Sequence, residues 1–217
     1  MKPDLTIDAL CAEAGAFTMQ ESEHWEPSIY GITDGKAIGT YLEHKFRAQL
    51  AGKYTFGMGS SAKGIDFPEL NVDMKVTRVT QPQSSCPFES ARQKIYGLGY
   101  ALLVFVYEKH DNPHTQTGRL EILDAIFIEA PYTADHQTTR GILQILENDG
   151  NSEELVAFMR DRNLPVDDIQ AYRLTEEILR NPPQIGYLTI SNALQWRLQY
   201  RRAIENAGKV EGVVKIR

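Results

Sequence analysis

Along residues 70–77 apolar and polar side chains alternate strictly, with Leu70, Val72, Met74 and Val76 on one side and Asn71, Asp73, Lys75 and Thr77 on the other. A period of two predicts a strand with one apolar face. It also puts Asp73 and Lys75 on the same face, one pleat apart. Residues 101–107, ALLVFVY, are apolar throughout, as expected of a central strand covered on both faces. Asp111-Asn112-Pro113 makes a turn into a second long strand over 119–128. Helical periods flank these strands. Leu5, Ile7, Leu10, Cys11, Ala14 and Phe17 form the buried side of a helix over 4–21, capped by Asp4 or Thr6. Ile38, Leu42 and Phe46 step by four along a helix from about 36 to 50, with Thr33 or Asp34 before it. Further helices are predicted over 89–96, 138–147, 152–160 and 166–180, the last stopped by Pro182-Pro183. Asn151 and Glu154 stand at capping-box spacing. Residues 187–190 and 213–216 read as short strands. Between them, 191–206 reads as a basic amphipathic helix around Leu194, Trp196, Leu198 and Ile204, ended by Gly208.

The 217 residues are 42% hydrophobic and 24% charged, which suits one globular domain with an ample core. The expected division is a core of about 33–130 and a helical C-terminal part of about 131–217. No run of eighteen apolar residues suggests a membrane span, and the N-terminus lacks the apolar stretch of a signal peptide. Cys11 and Cys86 form no metal-ligand spacing and read as thiols of a reducing cytoplasm. The net charge of −6 argues mildly against a nucleic-acid binder, but its distribution points the other way. Residues 36–94 carry nine Lys/Arg against five Asp/Glu, and residues 190–217 carry six against two. Basic segments on an acidic body fit a protein that presents one face to DNA.

The candidate chemistry lies around the first strand. Asp66 precedes Asp73 by seven residues, with Pro68 able to support a turn between them. If the chain doubles back there, two carboxylates and the Lys75 ammonium converge. Such carboxylates repel each other unless a divalent cation sits between them, and a lysine beside that cation can hold or activate a water. This is the outline of a phosphodiester hydrolase. Gly57 and Gly59 allow close backbone approach, and Ser60, Ser61 and Lys63 suit phosphate oxygens. Arg78, Gln81 and Gln83 follow the strand and can bond base edges. Lys36, Arg197 and Arg201 complete the candidate DNA contacts. For each of these a solvated surface residue is the competing reading.

The pattern resembles the PD-(D/E)xK nucleases, most closely the MutH-type branch and related type II restriction endonucleases. The resemblance rests on Asp66, the seven-residue step to Asp73-Met74-Lys75, the Gly39 to Leu42-Glu43 helix, the small-residue loop 57–64, and Ser90-Ala91-Arg92-Gln93-Lys94 before an apolar strand. It covers about 33–109. Two departures are that Asp73 stands where Glu is commoner, and Ile65 where Pro often precedes the first Asp. The resemblance implies a restriction-endonuclease-like α/β fold: a mixed β-sheet flanked by helices, with the site hairpin at its centre and a helical C-terminal part. It implies Asp66, Asp73 and Glu43 as metal ligands for Mg2+, for which Mn2+ can substitute, Lys75 as the residue that orients water, and Lys94 as a further catalytic-site lysine meeting phosphate. The implied function is a type II enzyme hydrolysing double-stranded DNA at a short sequence, as a homodimer where the target is palindromic. The alternatives are a mismatch-repair nickase or structure-specific nuclease, and a catalytically silent DNA-binding module on the same fold.

Overall fold

The computed structural model describes residues 2–57, 64–86, 89–191 and 196–217. In chain order the strands are β1 (Trp25–Glu26), β2 (Val72–Arg78), β3 (Gln83–Cys86), β4 (Ala101–Asn112), β5 (Thr117–Ile128), β6 (Thr189–Ile190), β7 (Trp196–Gln199) and β8 (Val213–Lys215). The helices are α1 (Ile7–Glu23), α2 (Gly35–Lys53), α3 (Arg92–Tyr96), α4 (His136–Glu147), α5 (Ser152–Asp161), α6 (Asp168–Arg180) and α7 (Arg201–Asn206). They fall into two compact units. The first holds residues 1–83, 102–127 and 207–217, and the second 84–101 and 128–206. The architecture is α/β, a mixed sheet flanked by helices with a mainly helical C-terminal region.

The first unit is built on a sheet of order β1-β5-β4-β2, with β8 also beside β5. β1 runs antiparallel to β5, Trp25 opposite Arg119. The short turn over 113–116 makes β4 and β5 a hairpin, which only antiparallel strands permit. The apolar run of β4 is buried as expected, Leu102 to Val106 completely. Phe105 from this strand meets Phe17 of α1 and Phe46 of α2, with ring centroids 5.0–6.0 Å apart. These tilted and edge-on contacts lock both helices to the sheet. Thr6 caps α1, accepting from the Ala9 N–H. The helix therefore starts at Ile7, whose side chain is exposed and not buried as expected. Asp34 caps α2, accepting from Lys36 and Ala37. Gly39 then brings α2 close to β2, since a Cβ there would stand 3.9 Å from Val76.

β2 lies at the end of this sheet, not at its centre. The central places go to β4 and β5, whose long apolar segments are the ones that need cover on both sides. The site strand also begins at Val72, because Leu70 is used in the preceding turn.

In the second unit Ala91, Ile95, Ile142, Leu155, Met159, Leu164, Leu174 and Ile178 form one core joining α3, α4, α5 and α6. Asn151 and Glu154 form the expected capping box at α5. Asp135 caps α4 through Thr138 and accepts from the Ile190 N–H at 2.8 Å, fixing β6 to that helix start. Where a helix is expected over 191–206, the described residues form strand β7, paired antiparallel with β6, followed by the short α7. Trp196 and Leu198 are buried while Arg197 and Gln199 are exposed. The apolar spacing there has a period of two, which a pleated strand satisfies and a helix does not. Arg197 therefore projects from a strand, with its Nη1 donating to Ser85 Oγ at 2.9 Å. Arg201 opens α7 and is exposed. Among the described residues no helix is long and apolar enough to cross a membrane.

Candidate active site

A tight reversal brings Asp66 to Asp73. Phe67 and Val72 face each other in an antiparallel bridge. The Phe67 N–H donates to the Val72 carbonyl at 2.9 Å and the Val72 N–H to the Phe67 carbonyl at 3.2 Å. Phe67 is buried and anchors the reversal in the core. Asn71 closes the turn at φ 55°, a left-handed conformation that asparagine tolerates better than most residues. The next pair outward from this bridge is Asp66 and Asp73, and opposed residues on antiparallel strands share a face. The period-two register does the rest by adding Lys75 to that face.

Each carboxylate oxygen then has a distinct environment. Asp66 Oδ2 accepts from the Met74 N–H at 2.8 Å, and its Oδ1 is ion-paired with the Arg47 guanidinium from α2. Asp73 Oδ2 lies 2.6 Å from Lys75 Nζ. Asp73 Oδ1 is buried and has no hydrogen-bond partner. A buried oxygen of this kind is costly and calls for a positive or donating group. Burial, reinforced by the Asp66 charge, pushes the Asp73 carboxyl up to about 6 despite the opposing pull of Lys75. Burial disfavours the Lys75 ammonium, but Asp73, Asp66 and Glu43 outweigh it and hold the group above its ordinary range. Glu43 is half-buried on α2, and burial followed by repulsion from Asp66 raises its carboxyl, against Lys75 and Arg47.

The structure thus joins Asp66, Asp73 and Lys75, with Glu43 close enough to share their field. Among the described residues no group of three or more His, Cys, Asp or Glu stands together at metal-ligand spacing. Glu43 is therefore not gathered with the two aspartates into one such set. Arg47 is the residue that sequence reasoning left out of the site. The helical period puts it on the face of Glu43, four residues on, but its pairing with Asp66 depends on the tertiary contact. Its Nε, like Asp73 Oδ1, is buried without a partner.

The other candidates are more dispersed. Thr77 continues the face of Asp73 and Lys75 and is buried. Its hydroxyl oxygen accepts from the Gln83 N–H at 3.0 Å and lies 3.2 Å from the Gln81 carbonyl, which shapes the loop carrying Gln81 and Gln83. Gln81 is exposed and Gln83 half-buried. Arg78 is engaged internally, donating to the Thr33 carbonyl at 2.8 Å and to the Tyr107 hydroxyl at 3.3 Å. Lys36 is exposed in the first turn of α2. Gly59, Ser60, Ser61 and Lys63 lie outside the described residues. Lys94 belongs to the second unit and is buried at 3% exposure, its Nζ 5.7 Å from the centroid of the Trp196 ring. Burial draws its ammonium below the ordinary lysine range, Asp135 opposing and Arg162 assisting.

The chain is similar to known proteins along nearly its whole length. The family model described as "Type II restriction enzyme NspV" matches residues 4–215. The chain is also 61% identical over 212 residues to the protein named Type II restriction enzyme NspV from Nostoc sp. (strain ATCC 29411 / PCC 7524), covering 98% of this chain and 96% of that protein. No solved structure matches.

Proposed function

Because the chain belongs to the NspV family of type II restriction enzymes, we propose that it hydrolyses phosphodiester bonds of double-stranded DNA at the face shared by Asp66, Asp73 and Lys75. The single observation that carries this placement is the opposition of Asp66 and Asp73 across the Phe67–Val72 bridge, with Asp73 Oδ1 buried and unpartnered. Family membership sets this reading above a mismatch-repair nickase or a silent DNA-binding module.

The residues fit a divalent cation with a preference for oxygen. Two carboxylates meet on one face, and one buried oxygen lacks a donor. Asp66 and Asp73 would hold Mg2+ or Mn2+, with Glu43 as the third carboxylate nearby. When bound, such an ion acidifies a water and offsets charge on phosphate oxygens. The chain's own groups do the remainder. Lys75 keeps its proton beside three carboxylates, so it serves as a hydrogen-bond donor that orients the attacking water and stabilises charge on the oxygens of the pentacoordinate phosphorus. The Met74 N–H fixes the Asp66 carboxylate in its plane. Arg47 is ion-paired with Asp66 Oδ1 and would compete with a cation held by that carboxylate. Lys94 is the weaker candidate for a phosphate contact. A palindromic target would be met by a two-fold pair of chains.

Digestion of sequenced plasmid DNA with and without magnesium tests the reading. Defined fragments are expected with magnesium only, and Asp73→Ala should reduce cleavage by orders of magnitude while the protein stays folded. Near-normal cleavage by Asp73→Ala would refute the site.

A further inference from the structure

A second basic feature lies within the second unit. His136, Gln137 and Arg140 of α4, Phe158 of α5, and Arg162 and Arg202 line a recess of about 380 Å³. Its floor forms where α4 and α5 approach at Gly141, since a Cβ there would fall 2.3 Å from the Phe158 ring. Arg162 is fixed across it, with Nη1 donating to Gln137 Oε1 at 2.9 Å and its guanidinium 5.6 Å from the centroid of the Phe158 ring. The three arginines are exposed. No carboxylate is among the lining residues. His136 Nδ1 lies 2.9 Å from the Gly186 carbonyl and so carries the proton it donates there. Burial, with Arg202 and Arg140 assisting, draws the imidazole below its ordinary range, against the hydrogen bond to Gly186 and the charge of Asp135 behind the recess.

Arg140, Arg162 and Arg202 bring three positive charges to one recess whose lining residues include no carboxylate, and such a concentration of charge favours a polyanion. Guanidinium is also the side chain best shaped for bidentate phosphate contact. We infer that this recess is a sequence-independent docking site for backbone phosphates of duplex DNA, built from Arg140, Arg162 and Arg202. The inference rests on the proposed DNA-cleaving function and adds to it a backbone-binding surface on the second unit. It also gives a place to basic residues that no catalytic role absorbs. Arg140 and Arg162 stand in a stretch whose overall charge is acidic, so composition along the chain does not reveal them.

The test is fluorescence anisotropy of a labelled duplex, excised around a mapped cleavage site, binding to the full chain in calcium over a range of salt. Each phosphate contact contributes about 0.9 to the slope of log affinity against log salt. Arg140→Gln/Arg202→Gln should therefore flatten the slope by about 1.8, weaken cognate and random duplexes by the same factor, and leave the cleavage rate at saturating DNA unchanged. An unchanged slope in the variant, with wild-type binding intact, overturns the docking site. Absence of DNA binding by the wild type overturns instead the function on which it rests. In a further arm, thermal stabilisation of the wild type by inorganic phosphate, lost in the variant while the DNA slope stays the same, would make the recess a small-anion site and refute the inference.

Discussion

Replacing Asp73 by Asn should remove catalysis and stabilise the protein in EDTA at neutral pH. The carboxyl of Asp73 is carried by burial from its ordinary 3.8 to about 6. Native Asp73 therefore binds its proton more tightly than unfolded Asp73. Stability from this group is fully present below the unfolded value and is lost as pH rises through about 6. The difference between the two values corresponds to roughly 3 kcal/mol against the charged form. That is a ceiling for Asp73→Asn, because the Asn carbonyl can still accept from Lys75. For a chain of this length 1 kcal/mol moves Tm by about 2–4 °C, so a rise of up to about 6–12 °C is expected at pH 8 in EDTA. The advantage should shrink as pH is lowered from about 6 toward 3.8, because wild-type Asp73 takes up its proton in the folded state first. Thermal melts of both proteins across that range, with EDTA and then with magnesium, give the measurement. Magnesium should raise the wild-type Tm and leave Asp73→Asn nearly unmoved. A Tm difference independent of pH, or an Asp73→Asn protein less stable than wild type at pH 8, would refute the account of Asp73 as a buried anion suited to a cation.

Two further outcomes follow from the partners of the carboxylates. Lys75→Ala should depress the single-turnover cleavage rate at saturating magnesium with little change in the magnesium midpoint, whereas Asp66→Ala should also shift the midpoint upward; full recovery of Lys75→Ala by added magnesium would show that lysine serves metal affinity. Arg47→Ala removes the cation that competes for Asp66 Oδ1, so the midpoint for thermal stabilisation by calcium should move to lower concentration, and a move to higher concentration would show that Arg47 assembles the site instead of guarding it.

Much of the candidate face is legible in the sequence because it depends on local rules. Period-two alternation fixes Asp73 and Lys75 on one side of β2, and the turn before it brings Asp66 opposite Asp73 through a single backbone bridge. The stripe of Ile38, Leu42 and Phe46 places α2 and carries Glu43 to its edge. What stays hidden depends on distant partners. The position of β2 at the end of the sheet is decided by which strands need cover on both faces, a comparison among segments far apart in sequence. Residues 196–199 look helical because four apolar residues within eleven positions satisfy a loose helical spacing, while the alternation of Trp196 and Leu198 with Arg197 and Gln199 is shorter and stricter. The pairing of Arg47 with Asp66 requires knowing that α2 crosses the turn, which no periodicity states.

The two aspartates are held together by the chain's own cations. Asp66 and Asp73 would repel each other on a shared face, yet Arg47 and Lys75 each take one carboxylate oxygen and offset that repulsion. These pairings differ in consequence. Arg47 comes from a neighbouring helix, so at the proposed site it would compete with a cation for Asp66. Lys75 comes from the same strand two residues on, and its charge is sustained by Asp73, Asp66 and Glu43 together, so it would stay protonated even if one of these carboxylates were engaged by a cation. The oxygen left over, Asp73 Oδ1, is the one that neither cation satisfies. A site arranged this way is stable on its own side chains but concentrates an unmet electrostatic demand at a single atom, which a divalent ion can meet. The strand register sets that atom's position, and the bridge between Phe67 and Val72 sets its partner's. The geometry proposed for catalysis is therefore fixed by the backbone before any metal or DNA arrives, consistent with the gain in rate expected from preorganised charge.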